Sequence, residues 1–156
     1  MRHSEAKELL SGGQGPEVAF ATEKVTNVAL AKILVALANG KGGTLLLGAT
    51  RTGSVQGVQD VDALCDRVLW AALSVTPPLV LPLPEPITAD WGAGASQTLV
   101  AVYVPPGLPS AYALNGRYLT RNGPNNRLLT AAQVHRLMLH RGVAAAPGQF
   151  ETQVQP

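Results

Sequence analysis

A run of small residues, ANGKGGTLLLGATRTGSVQG (residues 38–57), constrains the fold of this chain more than any other feature. The apolar residues 28–38 before it (VALAKILVALA) predict a buried helix, and residues 44–47 (TLLL) predict a short buried strand. The chain therefore passes from a helix through glycines into a strand. A phosphate-binding P-loop has the opposite order, because the phosphate is held by the N-terminus of the helix that follows the glycines. The run is therefore not a loop of that type.

The glycines instead predict a corner between the helix and the strand. Asn39 and Gly40 both tolerate the left-handed conformation in which many helices end, and Gly42-Gly43 allows the backbone to reverse into the strand. This interpretation accounts for the glycines. It does not account for Lys41 and Arg51, which place positive charge beside them.

Length and composition describe one globular domain. The 156 residues are 46% hydrophobic and 14% charged, and a chain of this length buries roughly two thirds of its unfolded surface. The sequence has no apolar run of about 18 residues, which a membrane span needs, and its first residues lack the apolar region of a secretion signal. Cys65 is the single cysteine, so no internal disulfide forms. We therefore expect a cytoplasmic protein with no membrane partner.

The pattern of elements predicts an α+β fold. We expect a mixed or antiparallel sheet of about four to six strands, two main helices packed on it and a third helix near the C-terminus. Residues 2–10 favour a short helix, because Glu5, Lys7 and Glu8 are good helix formers, but the sequence SGGQGP breaks it, so residues 1–16 predict a flexible N-terminal segment. Residues 17–142 then form the domain, and residues 143–156, which have no periodicity, predict a disordered tail.

The longest strand signal is residues 97–104 (QTLVAVYV), for which residues 85–91 are the expected hairpin partner. Residues 79–86 (LVLPLPEP) predict an edge or an extended connection, because proline cannot donate to a sheet ladder. These apolar segments exceed what one small sheet hides. We therefore expect a homodimer, with the edge formed by residues 79–86 and 97–104 as its contact.

The basic third of the chain begins with residues 117–121 (RYLTR), which predict a strand with both arginines on one face. Residues 122–127 predict a polar loop. Thr130 then begins a capping box, and the helix over residues 131–140 is expected to end at Gly142.

Charge is distributed unevenly along the sequence. Residues 91–150 contain five arginines and two histidines but no Asp or Glu, although the net charge of the chain is only +2. An uncompensated basic region of this kind favours an anionic partner, most commonly nucleic acid. The histidines and Cys65 lack the spacing of a metal site. We therefore expect no metal and no cofactor.

Several motifs follow one another in a characteristic order: residues 36–48 (ALANGKGGTLLLG), 55–57 (VQG), 109–112 (PSAY) and 116–125 (GRYLTRNGPN). Over residues 17–139 this order resembles the AlbA-like domain of the Schlafen family, often called AlbA_2, which shows an A-F-A-N-x-x-G-G-x-L-x-x-G pattern. The resemblance implies a DNA-binding or transcription-regulator module of the kind widespread in bacteria.

The departures from the family pattern concern catalysis. Some Schlafen relatives are RNases in which three acidic residues hold a metal ion, since Mg²⁺ and Mn²⁺ prefer hard oxygen ligands. By the resemblance, Gln14, Ala19 and Arg51 stand at roughly those three places here. Arg51 places a cation where the metal would lie, which favours bound phosphate over bound metal. The resemblance therefore implies a domain that is not an enzyme.

The expected function is non-catalytic binding of nucleic acid, DNA before RNA, through a basic face. Its cations contact backbone phosphates and its asparagines supply neutral donors. The predicted interface consists of Lys41, Arg51, Arg117, Arg121, Asn122, Asn125 and Arg127. Two alternatives remain open: a residual metal-dependent RNase that uses Glu17, Glu23 and Asp60, and a protein-interaction or dimerisation module.

Overall fold

The computed structural model describes residues 1–141 and contains four helices and six strands within them. The elements are α1 (His3–Gly12), β1 (Val18–Ala21), α2 (Asn27–Asn39), β2 (Gly43–Leu47), α3 (Val61–Leu73), β3 (Glu85–Asp90), β4 (Ser96–Val104), β5 (Leu119–Asn122), β6 (Asn125–Leu128) and α4 (Ala131–His140). The predicted α+β class is confirmed. The expected helix end at Gly142 and the expected tail at residues 143–156 lie outside the described residues.

Four strands form a mixed sheet in the order β1-β2-β4-β3. β1 and β2 are parallel and are joined through α2, because parallel neighbours need a crossover connection. β4 pairs antiparallel with β2 on one side and with β3 on the other. The predicted hairpin of β3 and β4 is therefore confirmed, whereas the expectation that residues 97–104 form an edge is wrong. β4 lies between β2 and β3 in the sheet, with its residues 100–104 paired to β2 and its residues 96–101 paired to β3, so it is not the edge strand.

Helices cover both faces of the sheet. Successive side chains of a strand point to opposite faces, so each strand contributes to two apolar clusters. Ala19 and Leu45, which are register partners, point to the larger core beneath α2 and α3. Phe20 and Leu46 point to the opposite face, where they pack with Ala6 of α1. Residues 3–12 are helical, where residues 2–10 favour a short helix, and the side chain of Ala6 is fully buried against the sheet.

The corner between α2 and β2 depends on two glycines. Gly42 and Gly43 have φ values of +73° and +143°, which L-residues with a side chain rarely adopt. A Cβ atom on Gly42 would lie 2.5 Å from the carbonyl oxygen of Val104, and one on Gly43 would overlap the backbone of Glu17. The predicted tight reversal is therefore confirmed, and the close approach of neighbouring backbones requires it.

The C-terminal end of α2 differs from the one expected at Asn39 and Gly40. Gly40 has φ −94° and Asn39 is still helical, so the predicted left-handed stop at these two residues is wrong. The buried side chain of Asn39 instead donates through Nδ2 to the carbonyl oxygens of Tyr112 and Leu119, both at 2.8 Å. Its Oδ1 accepts from the Tyr112 amide at 2.7 Å. These three bonds hold the later chain segments against α2.

The stretch expected as a polar loop, residues 122–127, contains β6, which pairs with β5 as a hairpin around Gly123. Gly123 adopts φ +56°, which permits the short turn. β6 was missed because its sequence, NNRL, has no apolar alternation. The hairpin packs against α2. The capping box is confirmed, since the side chains of Thr130 and Gln133 each accept from the other residue's backbone amide.

No helix within residues 1–141 is long and apolar enough to cross a bilayer.

Candidate nucleic-acid interface

A cleft with a volume of about 520 Å³ lies at the free edge of β1, between α2 and the turn that follows β2. Four cationic side chains line it: Lys24, Lys32, Arg51 and Arg121. We call it the basic cleft. None of the described residues that line it is an Asp or a Glu, and none of the four cations forms an ion pair within residues 1–141. A surface concavity lined by cations alone favours an anionic ligand.

The cations of the basic cleft come from separate elements. Lys32 is the single charged residue in the apolar run of α2 and occupies the exposed side of that helix, while Leu30 and Leu34 are buried. Arg51 lies in the turn after β2, where the Ser54 amide donates to Thr50 Oγ1 at 3.1 Å. The amide side chain of Gln14 donates to the Arg51 carbonyl oxygen at 3.1 Å. These bonds fix the Arg51 backbone and leave its exposed guanidinium facing the cleft.

Arg121 lies at the inner side of the cleft and has a different role from the one predicted. Its Nε donates to the Gly15 carbonyl oxygen at 3.0 Å, and its Nη2 donates to the Val18 carbonyl oxygen at 2.9 Å. Gln14 Oε1 and Asn126 Oδ1 accept its remaining bonds, at 3.2 and 2.9 Å. Burial lowers the pKa of this guanidinium. Arg121 therefore joins β5 to β1 and to the segment before it, and it uses four of its N–H donors on the chain's own acceptors.

A second groove, of about 400 Å³, continues from the basic cleft at Lys32, which lines both. We call it the side groove. Arg117 lines it together with the apolar side chains of Leu119 and Leu128. Arg117 is exposed and precedes β5, so it is not part of the strand in which it was predicted. The two grooves together bring Arg51, Lys32 and Arg117 to one continuous surface.

The predicted interface residues separate into two groups. The structure brings four of them to the two grooves: Arg51, Arg117, Arg121 and Asn125. Lys41, Asn122 and Arg127 are exposed but line neither groove. Sequence reasoning missed Lys24 and Lys32. The signal for Lys32 was present, because a single lysine in an otherwise apolar helix marks the solvent-facing side.

Part of the uneven charge serves the fold. Arg141 donates through Nη2 to the carbonyl oxygens of Ala38 and Gly40, at 2.9 and 3.1 Å. Through Nη1 it donates to the carbonyl oxygens of Leu108 and Ser110, at 2.6 and 3.2 Å. The guanidinium thereby satisfies carbonyls at the end of α2 that have no helical partner. An arginine bound in this way does not count toward a surface for phosphates.

The positions implied for nuclease acids hold no acidic cluster. Gln14 and Arg51 do meet at the basic cleft, whereas the side chain of Ala19 is fully buried in the core. Glu23 uses both carboxylate oxygens on backbone amides, at 3.0 Å to Gln59 and 2.9 Å to Asp60. Within residues 1–141, no group of three His, Cys, Asp or Glu side chains is arranged to hold a metal ion.

The fold and the motifs together define an AlbA-like α+β domain. The family model described as Schlafen, AlbA_2 matches residues 4–130, and the chain belongs to this family. The match begins within α1, so this helix is part of the family domain. Membership fits a domain whose role is related to nucleic acids. A search of curated proteins found no match.

Two solved structures resemble this chain. The crystal structure of the DIP2311 protein from Corynebacterium diphtheriae superposes with a TM-score of 0.57 at 17% identity, over 88% of this chain and 28% of that chain. The N-terminal domain of a putative ATP-dependent DNA helicase RecG-related protein from Nitrosomonas europaea gives 0.47 at 23% identity, over 65% of this chain and 72% of that domain. The first likeness supports the fold alone, and this chain spans under a third of the first protein.

Proposed function

We propose that this protein binds the phosphate backbone of nucleic acid in the basic cleft and the side groove, without cleaving it. The observation that carries the proposal is the convergence of Lys32, Arg51 and Arg117 on one continuous surface whose described lining contains no carboxylate. These three cations come from α2, from the turn after β2 and from the residues before β5. Their exposed side chains have no hydrogen-bond partner within residues 1–141, so their donors are available to phosphate oxygens.

The proposal that the protein does not cleave nucleic acid is supported by how the nearby acids are used. A metal-dependent nuclease needs clustered oxygen ligands for its metal. Glu23 is engaged with two amides, and Asp60 caps α3 by accepting from the Ala63 amide at 3.1 Å. Arg51 supplies a positive charge at the basic cleft instead. These contacts favour a binding module over the RNase alternative that uses Glu17, Glu23 and Asp60.

The test is the salt dependence of binding. Affinities for single- and double-stranded DNA and RNA are measured over a series of salt concentrations, with the wild type and the double variant Lys32→Ala/Arg51→Ala. Because each phosphate contact contributes about 0.7 to 0.9 to the slope of log K against log salt, the double variant should flatten the slope by about 1.4 to 1.8. The double variant Lys41→Ala/Arg136→Ala is the matched control, since it removes a lysine and an arginine that are exposed and line neither groove.

Three results would contradict the proposal. The first is that the wild-type protein binds none of the four nucleic acids, or binds them with an affinity that does not depend on salt. An equal loss of slope in the control Lys41→Ala/Arg136→Ala would show that the grooves are not the contact surface. The last result is degradation of structured RNA by the wild type in the presence of Mn²⁺. If the double variant Lys32→Ala/Arg51→Ala does not degrade the same RNA, the protein is a nuclease and not a binding module.

A further inference from the structure

Trp70 is the most exposed aromatic side chain of the described chain, at 73% of its full accessible area. It lies on α3 and lines a third groove, of about 420 Å³, between α2 and α3. We call this the tryptophan groove. Val28, which is 57% exposed, lies on the facing helix and lines the same groove. Exposed apolar side chains that line one groove with polar residues are typical of ligand-binding grooves.

The tryptophan groove continues from the surface assigned above to phosphates. Val28, Leu114 and Asn115 line both the tryptophan groove and the side groove. Lys32 in turn lines both the side groove and the basic cleft. One path therefore leads from Arg51 past Lys32 to Trp70. A backbone that follows the cations reaches an aromatic ring at its end.

Charge along the tryptophan groove matches the same ligand. Its described lining contains Arg67 and no Asp or Glu. Arg67 is held in place, because its Nε donates to Asn27 Oδ1 at 2.8 Å and its Nη1 donates to the Glu23 carbonyl oxygen at 3.0 Å. The nearest acid in sequence on α3, Asp66, is exposed one turn before Trp70 but does not line the groove. Its Nη2 also donates to the Val25 carbonyl oxygen, so Arg67 adds positive charge beside the aromatic ring while the phosphate contacts are left to Lys32 and Arg117.

We infer that Trp70 stacks on an unpaired base of a single-stranded nucleic acid whose phosphates follow Lys32 and Arg117. The ring of a tryptophan accepts any base, because every base has a π-face. Bases inside a duplex are already stacked on both faces, so this contact selects single strands over duplexes. The inference rests on the proposed function, since the phosphates must first be held in the neighbouring grooves. It goes beyond that function by naming the strand form and the residue that selects it.

The first test compares Trp70→Ala and Trp70→Phe with the wild type in binding a short oligothymidylate, a duplex of the same length and an abasic oligonucleotide of the same length. Loss of one base-aromatic stack weakens binding roughly five- to hundredfold. We expect that loss for Trp70→Ala with the oligothymidylate. We expect no loss with the duplex or the abasic strand, and a much smaller loss for Trp70→Phe, which keeps an aromatic face. The salt slope should be unchanged.

The second test uses tryptophan fluorescence, which stacking on a base quenches. Trp91 is the other tryptophan, and it is held by a 2.8 Å bond from its Nε1 to the Gln97 carbonyl oxygen and by an edge contact with His3. Quenching seen in wild type and absent in Trp70→Phe therefore reports Trp70. Because Trp70 is exposed, we expect both variants to keep the circular dichroism spectrum of the wild type.

The outcomes separate the two proposals. Suppose that Trp70→Ala binds oligothymidylate as tightly as the wild type, while the salt slope still depends on Lys32 and Arg51. This result would overturn the stacking and leave the phosphate surface intact. The tryptophan groove would then be a surface for a protein. Quenching that persists in full in Trp70→Phe also overturns it. A wild type that binds no nucleic acid removes both.

Discussion

Replacement of Arg121 by lysine keeps the charge of the basic cleft and removes the geometry of the guanidinium. Arg121 makes four hydrogen bonds to acceptors in three different segments. At about 0.5 to 1.5 kcal/mol net for each bond, they contribute about 2 to 6 kcal/mol. An ammonium group donates from one point and lacks the planar fork, so it can keep at most about two of these bonds. We expect the free energy of unfolding to fall by about 2 kcal/mol.

The assay is urea unfolding followed by circular dichroism. With a slope near 2 kcal/mol per molar urea, the midpoint should move down by about 1 M while the slope stays the same. Arg51→Lys is the matched control, because it makes the same chemical change in the same cleft at an exposed guanidinium with no hydrogen-bond partner within residues 1–141. We expect it to change stability by less than about 0.5 kcal/mol. Equal midpoints for the two variants would refute the positioning role of Arg121.

Three further predictions concern the fold. Asn39→Ala should cost at least about 3 kcal/mol, because it leaves three buried backbone groups without partners; a loss below about 1 kcal/mol in urea unfolding would contradict this. Gly43→Ala should abolish soluble expression or lower stability by more than about 4 kcal/mol, because its Cβ would overlap the backbone of Glu17. The control Gly92→Ala should fold, since Gly92 has φ +111° but no atom lies within 4 Å of its new Cβ. Similar losses of stability in both variants would show that the overlap with Glu17 is not the cause. Burial, and then the charges of Asp62 and Asp66, raise the pKa of the Cys65 thiol. Because only the thiolate is alkylated, the alkylation rate of Cys65 should rise at a higher pH in the folded protein than in the protein unfolded in urea. Coincident pH profiles of the two rates would contradict the raised pKa.

Most of the secondary structure was predictable because its signals are local. The apolar periodicity of α2, the N-cap of α3 at Asp60 and the capping box at Thr130 each involve residues within one or two turns of each other. β6 was not predictable by the same means. Its four residues are polar, and they form a strand because Gly123 permits a turn that aligns them with β5. The helix over residues 3–12 has a local signal in its good helix formers, but its packing on the sheet through Ala6 depends on the tertiary structure.

The candidate site was predictable in part. The resemblance led to Arg51 and the uneven charge led to Arg117, and both line the grooves. Lys24 and Lys32 were missed because they lie outside the basic third of the sequence, and folding brings them beside it. Lys41 was predicted to belong to the interface because it lies beside the glycines of the corner. The structure leaves it exposed and outside both grooves, since neighbours in sequence do not always face the same surface.

The sequence by itself determined the α+β class, the tight glycine corner and the family, since these depend on short-range pattern and on motif order. Only the tertiary structure decided which arginines face a ligand and which bind the chain's own carbonyls. Arg121 and its acceptor Gly15 are separated by 106 positions, and Arg141 and Ala38 by 103. A guanidinium donates equally well to a phosphate or to a backbone carbonyl. Its role therefore depends on which acceptors folding brings within reach, and one residue's identity does not contain that information.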